Sequence, residues 1–219
     1  MLGFLVQPNT GYYIDVFTLL FKSLNLTKFH LLGHHCGAGL ATELAVLYPD
    51  NVLTVCLVRA AIMKREEQIV LNTLINVPLN EPVASGAHLQ KTWDYLASHG
   101  VGEDPEFRQS EALDHISAWK VRNQIYRCVF NQDMWGFFGE VRCEAVIMCA
   151  RDDVLWPHVK EIVSWCGMEE GMSADVGQKL KVRVEEVNGG DFETGRPDSA
   201  KEVAISTLIS WGNADFEWD

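Results

Sequence analysis

Phe29-His30-Leu31-Leu32-Gly33-His34-His35-Cys36-Gly37-Ala38-Gly39 is the stretch that decides how this chain is read. Phe29 to Leu32 is a short strand candidate running into Gly33. Two glycines then bracket His34-His35-Cys36. From Gly37 to Tyr48 the residues are small or apolar with Glu43 as the only charge, which suits a largely buried helix. The spacing predicts a strand, a sharp turn and a helix start.

Working outward, Pro49-Asp50-Asn51 makes a turn, and Val52 to Val58 is a continuous β-branched-rich run, as in a strand covered on both faces. Upstream, Tyr12 to Leu24 carries apolar residues at helical spacing and ends near Asn25. Downstream, Ala145 to Ala150 is a strand followed by the loop Arg151-Asp152-Asp153, and Pro157 sits in the first turn of a helix reaching about Trp165. Leu180 to Val187 alternates as a strand and leads into Asn188-Gly189-Gly190-Asp191, and a final helix is expected from about Ser199 to Trp211. Residues 60–140 are helical in composition, rich in aromatics and without a clear strand. Such alternation predicts an α/β fold with a parallel sheet and helices on both faces. In these sheets the working residues lie beyond the C-terminal ends of strands, here Gly33–Gly37, Arg59–Met63, Arg151–Asp153 and Gly189–Phe192.

The 219 residues suffice for one domain with a sizeable core, and 47% hydrophobic with 22% charged residues is ordinary for a globular protein. No apolar run reaches the roughly 18–20 residues that span a bilayer. Met1 to Val6 has no basic region and meets Gln7 and Pro8 too early for a signal peptide. A net charge of −12 without a Lys/Arg cluster argues against nucleic acid and anionic membrane surfaces. None of the six cysteines forms a C-x-x-C pair, so reduced buried thiols and a cytoplasmic location are expected.

The Gly33–Gly37 run resembles the nucleophile elbow of α/β-hydrolases, G-x-Ser-x-G, of the AB hydrolase-1 type. In that bend, side chains at the bracketing glycines would collide with the neighbouring strand and helix. The middle residue is held at φ > 0, and the next backbone N–H becomes an oxyanion donor. The resemblance extends along the chain in order and spacing. Leu40 to Val52 is similar to the family's helix and Pro-containing turn into the next strand. Ile147 to Pro157 is similar to its late strand and acid loop, with Asp153 on the acid position. Val184 to Phe192, then Arg196-Pro197, matches the loop bearing the catalytic histidine, with Asp191 in its place. The resemblance implies a three-layer α/β-hydrolase-like sheet, with core segments 1–59 and 141–219 and a helical cap over 60–140.

Three departures follow. The nucleophile position holds His35, the general-base position holds Asp191, and Leu2-Gly3-Phe4 resembles the loop after the family's fourth strand. The early strands would then be missing, which implies a truncated form or a partner chain or second copy covering an exposed sheet edge. Serine-nucleophile hydrolysis is not expected. The inherited geometry sets His35 against Asp153 and Asp191, where a carboxylate would raise the imidazole pKa and allow acid–base chemistry. The competing reading is a silent site in which His35 is tolerated because histidine is enriched at φ > 0.

Gly33, His34, Cys36 and Gly37 complete the elbow. Cys36 as a nucleophile is disfavoured, since a shifted register would put His34 where a small residue is needed. Adjacent His34 and His35 on a sharp turn should point apart, so no metal is expected, and no cofactor. Asp152 is the alternative acid, or a partner for Arg151. His115 and Trp119, at i and i+4, and Trp135 are candidate cap-pocket residues. Two function classes stay open: an enzyme acting on a small, fairly apolar molecule, or a catalytically inactive protein binding a ligand or partner.

Overall fold

The computed structural model describes residues 9–75, 80–101, 103–167, 173–176 and 180–187. Helix α1 (Thr10–Ser23) is capped by Asn9, whose side chain accepts from the Tyr12 N–H. Strand β1 (Phe29–His34) passes through one residue, His35, into α2 (Cys36–Leu47). Strand β2 (Val52–Val58) follows, then five helices: α3 (Arg65–Ile75), α4 (Ala87–Ser98), α5 (Pro105–Ser117), α6 (Trp119–Phe130) and α7 (Met134–Glu140). Strand β3 (Glu144–Cys149), helix α8 (Trp156–Trp165), β4 (Ser173–Val176) and β5 (Leu180–Glu186) complete the described elements. The final helix expected near 199–211 lies outside the described residues.

The sheet runs β1-β2-β3-β5-β4. Strands β1, β2, β3 and β5 are parallel, whereas β4 pairs antiparallel with β5. The expected parallel sheet is present, and β4, which was not anticipated, adds an antiparallel strand at its edge. Ser173-Ala174-Asp175-Val176 contains a single strong strand former, so no period could signal it. Strand β1 ends the described sheet on the other side.

Central strands are buried on both faces, which explains their continuous apolar sequence. On one face Val55, Leu57, Ala145, Ile147, Val182 and Val184 join a core with Ala38, Ala41 and Ala45 of α2 and Val159 and Ile162 of α8. On the other face Cys56, Val58, Val146 and Met148 form a second cluster. Helix α1 packs outside α2, through Ile14 against Leu40 and Leu44. All six cysteines are free.

The helical insert has its own local logic. Asp104 caps α5 by accepting from the Glu106 and Phe107 N–H groups, and Pro105 fills the first turn. Gln132, after α6, ties the insert to α2. Its amide nitrogen donates to Glu43 Oε2 at 2.6 Å, and its carbonyl accepts from Gln68 Nε2 of α3 at 2.8 Å.

Candidate functional site

The elbow is built as its glycines dictate at one position and not at the other. His35 has φ 49° and ψ −116°, a strained conformation for a non-glycine residue. Its N–H donates to the Val58 carbonyl at 3.0 Å, and its own carbonyl accepts from the Ala38 N–H at 3.0 Å. A Cβ on Gly33 would stand 2.6 Å from Ala38 Cα and closer still to the Gly37 carbonyl. Only glycine fits there. A Cβ on Gly37 would meet nothing within 4 Å, so the expected collision at the second bracketing glycine does not occur. Gly39 instead lets α2 approach the insert, since a Cβ there would lie 2.9 Å from Val129 Cγ1.

Next to the elbow, Arg59 leaves the end of β2 with φ 53°, and its N–H donates to the Met148 carbonyl at 2.8 Å. Its guanidinium forms an ion pair with Asp153, both side chains being essentially inaccessible to solvent. Asp153 also accepts from the Leu155 N–H through Oδ1 at 2.7 Å. Asp152 is exposed, so Asp153 is the interior acid of this loop. Arg151 pairs with Glu186 at 2.7 Å rather than with Asp152 as expected.

His34, His35, Cys36, Asp153 and His115 all line one cavity of about 890 Å³, between the elbow end of the sheet and helices α5 and α6. Most of its wall is aliphatic or aromatic, including Leu71, Ile125, Val129, Phe130 and Leu155. Trp119 and Trp135 are corrections, because neither is among the residues lining it. The Trp119 ring carries the Lys120 ammonium at 5.1 Å, and Trp135 packs edge-on against Trp165 at 5.8 Å. Helical spacing put Trp119 one turn from His115, but α5 ends at Ser117 and α6 starts at Trp119, so the two do not share a helix. Asp191 lies outside the described residues.

Two expectations about the histidines are overturned. The rings of His34 and His35 do not splay apart; their centroids are 4.3 Å apart in an edge-on contact. Nor is the His35 pKa raised. Burial, then the neighbouring His34 and the positive Arg59, push it down to about 3. His34 falls to about 4, from burial and then Arg59. Both imidazoles are therefore neutral at physiological pH. The physical reason is chiefly burial, which disfavours the charged imidazole, with the Arg59 charge adding to it. Burial likewise pushes the Cys36 thiol up to about 12, so it is no thiolate nucleophile.

Among the described residues, the one group with three mutually close metal-capable side chains is Glu67, His158 and Glu161, away from the cavity. Local pairs already join it: His158 Nδ1 lies 3.5 Å from Glu67 Oε1, and Lys64 Nζ lies 3.5 Å from Glu161 Oε2. Among the described residues no helix is long and apolar enough to cross a membrane.

Comparison with known proteins agrees with this geometry at the level of fold. No protein-family model matches the sequence, and no curated protein matches it. Solved structures do. A hydrolase from Pseudomonas aeruginosa superposes with TM-score 0.64 and 11% identity, covering 91% of this chain and 72% of its own. An enol-lactonase from Burkholderia xenovorans gives 0.62 and 13%, covering 93% and 74%. An esterase from Exiguobacterium antarcticum gives 0.62 and 16%, covering 93% and 73%. The chain has the α/β-hydrolase fold.

Sequence identity this low carries the fold and not the chemistry. In this chain the residue at the sharp bend between β1 and α2 is a neutral histidine, and the Asp153 carboxylate after β3 is paired with Arg59. Sequence reasoning missed Arg59 as a site residue. Its position beyond the end of β2 was the available signal, but nothing local indicated that its side chain would reach Asp153.

Proposed function

We propose that this α/β-hydrolase-fold chain binds a small, largely apolar organic molecule in the cavity beneath α5 and α6, without serine-nucleophile hydrolysis. The observation that carries this reading is the cavity itself, about 890 Å³ with the elbow imidazoles of His34 and His35 in its wall. Pockets of this size and apolar character suit drug-sized ligands held by a few polar groups. Each neutral imidazole offers one donor and one acceptor, enough to orient a carbonyl or hydroxyl. Serine chemistry needs a hydroxyl at the elbow tip and an oriented imidazole base. The tip holds His35, and Arg59 engages the Asp153 carboxylate.

The alternative is proton transfer by His35, favoured by its place at the strained bend and in the cavity wall. An imidazole with a pKa of about 3 is a weak base at pH 7. This alternative therefore needs a carboxylate to restore basicity, with Asp191 the expected source.

Two measurements test the main reading. A fluorophosphonate probe should label nothing and nitrophenyl esters should not be turned over; stoichiometric labelling of any serine would refute the chemical clause. The uncharged fluorophore N-phenyl-1-naphthylamine should bind with enhanced emission, and Ile125→Trp, which narrows the cavity, should abolish that signal at unchanged circular dichroism. Equal binding to this variant would place the ligand elsewhere.

A further inference from the structure

The cavity has one permanently cationic residue in its described lining, Arg122 of α6. Its guanidinium lies over the Tyr126 ring, one turn along the same helix, with Cζ 4.9 Å from the ring centroid. A cation–π contact of this kind is not a hydrogen bond, so it does not by itself occupy the N–H donors that suit a planar, two-oxygen acceptor. No ion pair joins Arg122 to a carboxylate among the described residues. We propose that Arg122 seats a carboxylate on the ligand that the cavity takes, an inference that rests on the small-molecule reading above.

The surroundings of Arg122 support this placement. It lines the same cavity as Cys36 at the start of α2 and His115 on α5, and its positive charge lowers the pKa of both, against and alongside burial respectively. Two acidic residues, Glu111 and Asp114, also line the cavity from α5. Asp114 is exposed and therefore well screened, and the Glu111 pKa is raised, first by burial and then by the Asp114 charge. Ile125, Val129 and Phe130 continue the α6 wall beyond Arg122. A ligand with a carboxylate at one end and an apolar body could thus lie along α6, its charged end on the guanidinium and its body on these side chains. Any carbonyl or hydroxyl it carries would be left to the imidazoles of His34 and His35. Bidentate pairing with a partly desolvated guanidinium is among the stronger charge-assisted contacts available to a protein.

A matched pair of ligands isolates the charge: 1-naphthaleneacetate and 1-naphthaleneacetamide, which share a shape and differ in one oxygen and one unit of charge. Each is titrated against the full chain preloaded with N-phenyl-1-naphthylamine. The acetate should displace the fluorophore at about tenfold lower concentration than the amide, the order expected of one charge-assisted pair. In Arg122→Gln the two should become equal. Arg122→Lys should restore part of the preference. A preference that persists in Arg122→Gln, or no preference in the unaltered chain, overturns the carboxylate inference while leaving the cavity reading intact. Failure of the fluorophore to bind the unaltered chain removes both together.

Discussion

The elbow side of the cavity and the α5–α6 side are built by different rules. At the elbow, Gly33 is locked against Gly37 and Ala38, His35 is held at φ 49°, and Arg59 and Asp153 form an inaccessible ion pair. On the opposite side several lining residues are half-buried or exposed, as at Val121, Arg122 and Asp114, while Val129 and Phe130 are buried. The elbow side is over-determined by backbone contacts, so its strain can persist. On the α5–α6 side the exposed positions are free to differ in chemistry at little cost to the core, whereas Phe130 belongs to that core. The contrast teaches that one side of this cavity carries the inherited fold geometry and the other is where ligand preference can be set.

The largest effect should come from breaking the buried pair. Asp153→Ala removes the carboxylate paired with Arg59 in the interior and should cost about 3–5 kcal/mol in urea unfolding. A double change of both residues to apolar side chains should recover much of that loss; a double variant as unstable as Asp153→Ala would show that the pair's own contacts, and not the buried Arg59 charge, matter. Next, Gly33→Ala should destabilise by about 3 kcal/mol because the clash is with backbone that cannot rotate away. Gly37→Ala should change stability by less than about 1 kcal/mol, and in the stabilising direction, since Gly37 lies in α2 with open space around it. Equal costs at the two glycines would contradict the elbow geometry described above.

The histidine prediction concerns pH. The His35 pKa falls from its ordinary value near 6.5 in the unfolded chain to about 3 in the folded one. Between those values the unfolded chain binds the extra proton, so stability is full above pH 6.5 and is lost as pH falls toward 3. Replacing His35 with Asn, which tolerates positive φ, should flatten the slope of stability against pH by about 1.4 kcal/mol per pH unit in that window. An unchanged slope between pH 6 and 4 would mean that the ring is not desolvated. The smallest effect belongs to the α5–α6 side: Val121→Ala should shift stability by no more than about 0.5 kcal/mol, because Val121 is 56% exposed. A large loss there would erase the contrast between the two sides.

The legible part of the fold follows the range of the forces involved. The β1 to β2 stretch could be read almost residue by residue, because Gly33, the small residues of α2 and the β-branched run of β2 each answer a local or nearest-neighbour demand. Strand β4 escaped because its pairing with β5, and not its own composition, makes it a strand. Trp119 and Trp135 were misplaced because aromatic character does not say which side of a helix faces a cavity. The candidate site was legible at His35, Cys36 and Asp153 through their spacing from strand ends, and illegible at Arg59 and Arg122, whose importance depends on residues far along the chain.

By itself the sequence determined that a strand must bend sharply into a buried helix at residues 33–37, and that parallel strands must alternate with helices around that bend. Periodicity and the space available to a Cβ act over a few residues, so they can be read in one dimension. Only the tertiary structure decided that Arg59 engages Asp153, that His34 and His35 are neutral and touch, and that Arg122 lines the same cavity. Electrostatic pairing and desolvation depend on which distant segments are brought together and on how much water is excluded between them.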